Sequence, residues 1–235
     1  MKLHYVVACY LGRRRNPHVE NSETYLREHL SFIRRSKVID RATIVLNSES
    51  LEQTARCVEI MQTFGAQNTN LIVRDNIGFS YGAWNDCVRA YLDFDSEYFF
   101  LVEDDYIPAS DEFASVFFDK MSPTTGYVAS IYDTSAPEGA HASMSIGLLS
   151  ASAAVDARNL YGEPLRVVGG EDDHFFYETA ERNQVAFLNN IIGAGYSVAS
   201  AGDTARMPFV RFGKIIVAGN QSARDCIVPI LGGTS

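Results

Sequence analysis

Phe99-Phe100-Leu101-Val102-Glu103-Asp104-Asp105-Tyr106-Ile107-Pro108 carries four apolar residues straight into three carboxylates and then reaches a proline. A short apolar run rich in aromatic residues, bounded by polar ones, reads as a buried strand over Tyr98–Val102. The acids then stand at its carboxyl end. Like charges side by side repel and lose hydration, so the cluster calls for a cation or for hydrogen-bond donors. Hard carboxylate oxygens suit Mg²⁺ or Mn²⁺, whose remaining positions a substrate diphosphate would share. A plain solvated acidic turn is the alternative.

Outward from this strand, short apolar runs alternate with amphipathic stretches of helical length, the pattern of βαβ units and a mostly parallel sheet flanked by helices. On the N-terminal side the expected elements are strand His4–Tyr10 and helix Glu23–Arg35 with Asn21/Ser22 as caps. Strand Ala42–Leu46 follows, then helix Leu51–Phe64 capped by Gly65, strand Asn70–Val73 and helix Ser80–Leu92. On the C-terminal side, Gly126–Tyr132 and Ser143–Val155 read as strands, Asp172–Asn189 as a long helix and Gly195–Ala199 as a late strand. No repeat, linker or charge block marks a boundary. The reading is one α/β domain over residues 1–235, with a ligand-binding half to about 108, a second half to about 213, and a loose tail over 214–235.

The 235 residues are 46 % hydrophobic, enough for one sizeable core, and exclude collagen-like and disordered classes. Lys+Arg 20 against Asp+Glu 29 leaves −9, an acidic surface on which neither nucleic acid nor an anionic membrane face is expected as partner. The 4 cysteines, Cys9, Cys57, Cys87 and Cys226, are widely spaced, which fits reduced thiols in a cytoplasmic protein. Leu3–Cys9 imitates a signal sequence, but His4 interrupts it and the arginines come after it, so it reads as a first buried strand. No apolar run approaches membrane-spanning length.

Ligands of open α/β sheets bind beyond the carboxyl ends of the strands, and here those ends are polar: Tyr10, then Asn47-Ser48-Glu49, Arg74-Asp75-Asn76 and Glu103-Asp104-Asp105. Arg74 to Asn85 joins a strand to a helix through the small residues Gly78, Gly82 and Ala83, which let the helix start lie tight against the sheet near a bound nucleotide. Neither G-x-G-x-x-G nor G-x-x-x-x-G-K-[ST] is present, which argues against dehydrogenases and P-loop nucleotidases. Val168-Gly169-Gly170-Glu171-Asp172-Asp173-His174 places acids at a helix start, where the dipole favours their charged form and a carboxylate can act as general base; ordinary helix capping competes with that reading.

In order and spacing, these three segments resemble the GT-A-fold glycosyltransferases, especially the inverting family-2 enzymes and the galactosyltransferases that build lactosamine. Asn76-Ile77-Gly78 with Ala83-Trp84-Asn85 looks like the family's helix start, Glu103-Asp104-Asp105 like its D-x-D metal and donor motif, and Gly169-Gly170-Glu171-Asp172-Asp173 like the run holding its catalytic base. The resemblance implies Asp105 on a divalent metal, Asp104 on the donor ribose or in the metal shell, and Asn47, Arg74 and Gly78 at the nucleotide. It implies Asp172 as the base toward the acceptor hydroxyl and Glu171 as an acceptor contact. Two departures stand out: Glu103 opens the acidic motif, and Asn47 replaces the usual Asp, which leaves base recognition open. No histidine follows His174 as a late metal ligand, which leaves metal dependence open too.

The implied activity is transfer of a sugar from a nucleoside-diphosphate sugar, with a uridine nucleotide expected, to a glycan or other hydroxyl acceptor with inversion, assisted by Mn²⁺ or Mg²⁺. The rivals are a sugar-nucleotidyltransferase or metal-dependent phosphoesterase, and a non-catalytic nucleotide-sugar-binding module. Arg13-Arg14-Arg15 and Arg206, Arg211 and Lys214 are candidate phosphate contacts. Trp84, the 1 tryptophan, reads as core rather than a sugar platform, and His4 and His29 as structural or exposed.

Overall fold

The computed structural model describes residues 2–12, 22–133, 141–168, 176–202, 209–211, 214–216 and 228–229. The chain runs β1 Leu3–Cys9, α1 Ser22–Arg35, β2 Arg41–Ser48, α2 Leu51–Phe64, β3 Thr69–Asp75, α3 Phe79–Tyr91, β4 Tyr98–Glu103, β5 Tyr106–Pro108 and α4 Glu112–Phe118. It continues through β6 Thr125–Asp133, β7 His141–Ser150, α5 Ala151–Tyr161, α6 Phe176–Gly193, β8 Ser197–Ser200, β9 Phe209–Arg211, β10 Lys214–Ile216 and β11 Val228–Pro229.

Seven strands form the main sheet in the order β3-β2-β1-β4-β7-β6-β8. The β3-β2-β1-β4 part is wholly parallel, and β7 lies antiparallel to both its neighbours. Successive strands step outward from β1 to β3, after which the chain returns to lay β4 on the other side of β1. The switch point between β1 and β4 is where such sheets open a crevice at their carboxyl edge.

Both faces of the sheet are covered, which is why its central strands are apolar throughout instead of alternating. Leu3, Tyr5, Val7 and Cys9 of β1 join the core under α1, α2 and α4, while Val6 and Ala8 point into the core shared with α3, α5 and α6. In β4, Phe100 and Val102 face the first core and Phe99 and Leu101 the second. Tyr5 stacks on Phe100 at 5.8 Å. Truncating such a ring typically costs about 3–5 kcal/mol, whereas exposed ion pairs such as Arg158–Asp93 are screened by water, so the two apolar layers hold the sheet.

Helix α2 spans the expected residues, with the Ser50 side chain accepting from the Gln53 N–H and Gly65 closing it through Met61 O. Elsewhere the structure corrects the sequence reading. The stretch Ser143–Val155 is not one strand: β7 ends at Ser150, and Ala151 begins α5, which buries Ala153, Ala154 and Ala157. Small residues fit either period, so the run gave no sign of the break. Within the tail, Lys214–Ile216 and Val228–Pro229 are strands of a second sheet ordered β11-β10-β9-β5, and its end, Leu231 to Ser235, lies outside the described residues.

His4 and His29, read as structural or exposed, are both fully buried. His4 Nε2 lies 2.8 Å from Thr43 Oγ1. Burial lowers the pKa of His4 to about 3, with the Arg41 charge adding, and that of His29 to about 4 against hydrogen bonds that favour the charged form. A histidine whose folded pKa is depressed binds a proton more readily unfolded. Its contribution is therefore present above pH 6.5 and lost as the pH falls toward 4. Melting temperature should drop across that window, and His4→Gln should flatten the drop while lowering the plateau; an unchanged slope in the variant would remove His4 from this role.

Candidate functional site

The four parallel strands deliver their last residues to one edge, where hydrogen bonds knit them together. Asp104, just past β4, is 2 % exposed. Its N–H donates to Ala8 O at 3.1 Å, and its Oδ2 accepts the Tyr10 N–H at 3.0 Å, so it joins the ends of β1 and β4 across the switch point. Beneath it, His29 Nε2 lies 3.0 Å from the Asp104 carbonyl, and the Tyr5 hydroxyl lies 3.0 Å from His29 Nδ1. A carbonyl only accepts, so Nε2 carries the proton and the hydroxyl donates to Nδ1.

Of the neighbouring acids, Glu103 is met by a donor. Glu103 Oε1 accepts from the Ser80 hydroxyl at 2.7 Å, and Asp105 is buried at the same turn. Donors therefore offset part of the repulsion that the sequence left open. Burial, with the Glu103 charge adding, pushes the hydroxyls of Tyr81 and Tyr127 above the ordinary tyrosine range, so neither can serve as a base near neutral pH.

Asn47 and Arg74 meet at the ends of β2 and β3. Arg74 Nη1 donates to Asn47 Oδ1 at 2.6 Å, Nε to Asp86 Oδ2 at 2.6 Å and Nη2 to Ile77 O at 2.8 Å, while Asn47 Nδ2 donates to Phe79 O at 3.4 Å. Asp86, on α3, went unnoticed in the sequence because nothing in the spacing ties it to Arg74. Tyr10 Oη donates to Glu49 Oε2 at 2.8 Å, which links β1 to the end of β2.

Gly78 caps α3 with φ 71°, the left-handed region that favours glycine, and a Cβ there would strike the Val167 side chain. This close approach brings the 163–168 segment against the start of α3. Asn85 Oδ1 accepts from Leu165 N–H at 3.1 Å, and Asn183 Oδ1 from Val168 N–H at 2.5 Å, clamping the segment between α3 and α6. Gly169 to Phe175, and with them Glu171, Asp172, Asp173 and His174, lie outside the described residues, as do Arg13 to Arg15 and Arg206. Arg211 and Lys214 are in strands, and β9 runs antiparallel to β5 with Arg211 opposite Tyr106, the residue after Asp105.

Among the described residues no group of three His, Cys, Asp or Glu side chains could hold a metal ion, so Glu103, Asp104 and Asp105 do not form a protein cage. The donor set fits a hard cation held by one or two carboxylates whose other positions belong to phosphate and water.

No family model matches the chain, and no curated protein is similar to it in sequence. A mannosyltransferase from Pyrobaculum calidifontis, solved in complex with GDP-Man and Mn²⁺, matches at TM-score 0.54 and 12 % identity over 85 % of this chain and 54 % of its own length. The chain has the GT-A fold. A cytidylyltransferase from Leptospira borgpetersenii shares it, at TM-score 0.52 and 12 % identity over 85 % of this chain and 75 % of that one. At these identities the likeness is one of fold.

Within this GT-A fold, Arg74 is the best-connected cation at the sheet edge, its side chain 13 % exposed against 28 % for Asp86. Arg74→Met should cost roughly 2 kcal/mol in urea unfolding, the worth of a charged hydrogen bond lost with its partner stranded. Asp86→Asn should then cost much less in that background than alone. Additive losses would show that the pair is not coupled.

Proposed function

We propose that the chain is a glycosyltransferase that moves a sugar from a nucleoside-diphosphate sugar, with UDP the expected carrier, to a glycan or other acceptor hydroxyl with inversion. The observation that carries this reading is the junction of Tyr10, Asp104 and Asp105 at the β1/β4 switch point, flanked by the Asn47–Arg74 pair. Arg74 has two N–H groups beyond its three bonds, available to a base carbonyl. Gly78 lets the α3 start come close to the nucleotide, and the turn that Asp104 anchors would present Asp105 to the donor.

Asp172 acts as general base and Glu171 positions the acceptor; the clamp made by Asn85, Asn183 and Gly78 supports this by setting where the chain enters Gly169. The acceptor oxygen bonds to the anomeric carbon as the bond to the diphosphate breaks, Asp172 takes the hydroxyl proton, and the diphosphate leaves with the electron pair. A divalent ion bound at Asp105, Mn²⁺ or Mg²⁺, would neutralise the leaving diphosphate. No helix among the described residues is long and apolar enough to cross a membrane, and Cys9, Cys57 and Cys87 are buried thiols, in keeping with the reduced cytoplasmic setting expected for the chain.

The cytidylyltransferase match favours a second reading, joining a nucleoside triphosphate to a phosphorylated substrate. The glycine- and arginine-rich phosphate loop of sugar-nucleotidyltransferases is only faintly echoed in Gly12-Arg13-Arg14-Arg15, which supports the transferase instead.

A thermal-shift screen of nucleoside-diphosphate sugars with and without Mn²⁺ tests the donor site, since a ligand that binds only the folded state raises its melting temperature. Asp105→Ala should abolish the metal-linked shift and leave the fold intact. Asp172→Asn should keep donor affinity and lose roughly 10²–10⁴-fold in single-turnover transfer. Normal transfer by Asp172→Asn, or a retained anomeric configuration, would overturn the mechanism. Diphosphate release from a nucleoside triphosphate and a sugar phosphate would favour the second reading.

A further inference from the structure

The opposite edge of the sheet, at the amino ends of β2 and β3 and the last turn of α3, holds a cavity of about 370 Å³. It lies away from the donor edge, and nothing in the proposed transfer uses it. Arg41 is its cation. The guanidinium sits 5.2 Å from the Tyr91 ring centroid and 5.5 Å from that of Phe94. Among the described residues it makes no hydrogen bond or ion pair, and its Nη1 is buried without a partner.

The rest of the lining supplies acceptors. Asn68 spends its amide N–H groups on Ile39 O and Asp40 O, and Asn70 on Ala42 O, which leaves both side-chain oxygens over. Asp40 commits one oxygen to the Leu3 N–H at 2.7 Å and has the other left. Phe94 is 56 % exposed, a large apolar face held in place at the rim.

An anion would meet Arg41 but also the Asp40 carboxylate and two amide oxygens. A neutral polyol satisfies both sets, because each hydroxyl donates once and accepts from another group. The C–H face of a pyranose covers an exposed ring, and the volume is within the range of small-ligand sites and suits one or two sugar rings. We propose that this cavity is a second, saccharide-binding site, with Arg41, Asn68, Asn70 and Asp40 bonding the hydroxyls and Phe94 stacking on the ring. It does not depend on the transfer reading, and a glycan held here would be tethered at a distance from the donor edge.

Saturation-transfer NMR on the full chain with mannose, galactose, glucose and N-acetylglucosamine, and with inorganic phosphate as the anionic arm, tests this. At least one neutral sugar should bind in the millimolar range and stay bound when UDP or GDP is added. Phe94→Ala and Asn70→Ala should each weaken it by roughly fivefold or more, the worth of one contact, with thermal melts confirming the fold. The proposal is overturned if none of the sugars binds, if neither variant weakens binding, if nucleotide displaces the sugar, or if phosphate binds in place of sugars and is lost in Arg41→Met. Because the readout is sugar binding away from the nucleotide, its failure leaves the donor site untouched, and failure of the donor screen leaves this site untouched.

Discussion

Where β1 and β4 lie side by side, their chains depart to different places, and the regular ladder between them has to end. Asp104 takes over. Its backbone N–H continues the pairing to Ala8, its carboxylate accepts the next free N–H at Tyr10, and its carbonyl receives His29 from α1. One residue thus anchors a strand, a loop and a helix, and the turn that carries Asp105 inherits its position from those bonds. Since Asp104 is buried, each of these groups would otherwise go unpaired in a place that water does not reach.

The parallel half of the sheet was legible because its signals were redundant. Strands buried on both faces read as apolar runs, and α2 carried a capping serine before it and a glycine after it. The second half offered less. The β7–α5 boundary sits at a run of Ser and Ala residues, Ser150 to Ala154, that carries no clear period, and only tertiary packing decides where one element becomes the other. Strands β5, β9 and β10 are three residues each, too short to show a period, and β5 and β9 pair across about a hundred residues of chain.

At the sheet edge, the carboxylates and the residues Asn47 and Arg74 stood out in the sequence because they break apolar strand runs at their carboxyl ends. Their supports did not, since Asp86 and Asn183 belong to helices whose contacts form only on folding. His29 is the instructive case. It lies on the same helical face as Leu26, Leu30 and Ile33, all buried, although the sequence reading left it as structural or exposed. What the pattern could not say was that the ring reaches the back of the acidic turn.

Trp84 packs in the core with no exposed surface, and its indole Nε1 donates to Val102 O at 3.4 Å, one residue before Glu103. It is also the chain's 1 tryptophan. The protein therefore carries a single indole fluorophore, hydrogen-bonded to the backbone that leads into the acidic turn. Excited selectively beyond the tyrosine band, that indole offers a label-free reporter on the turn.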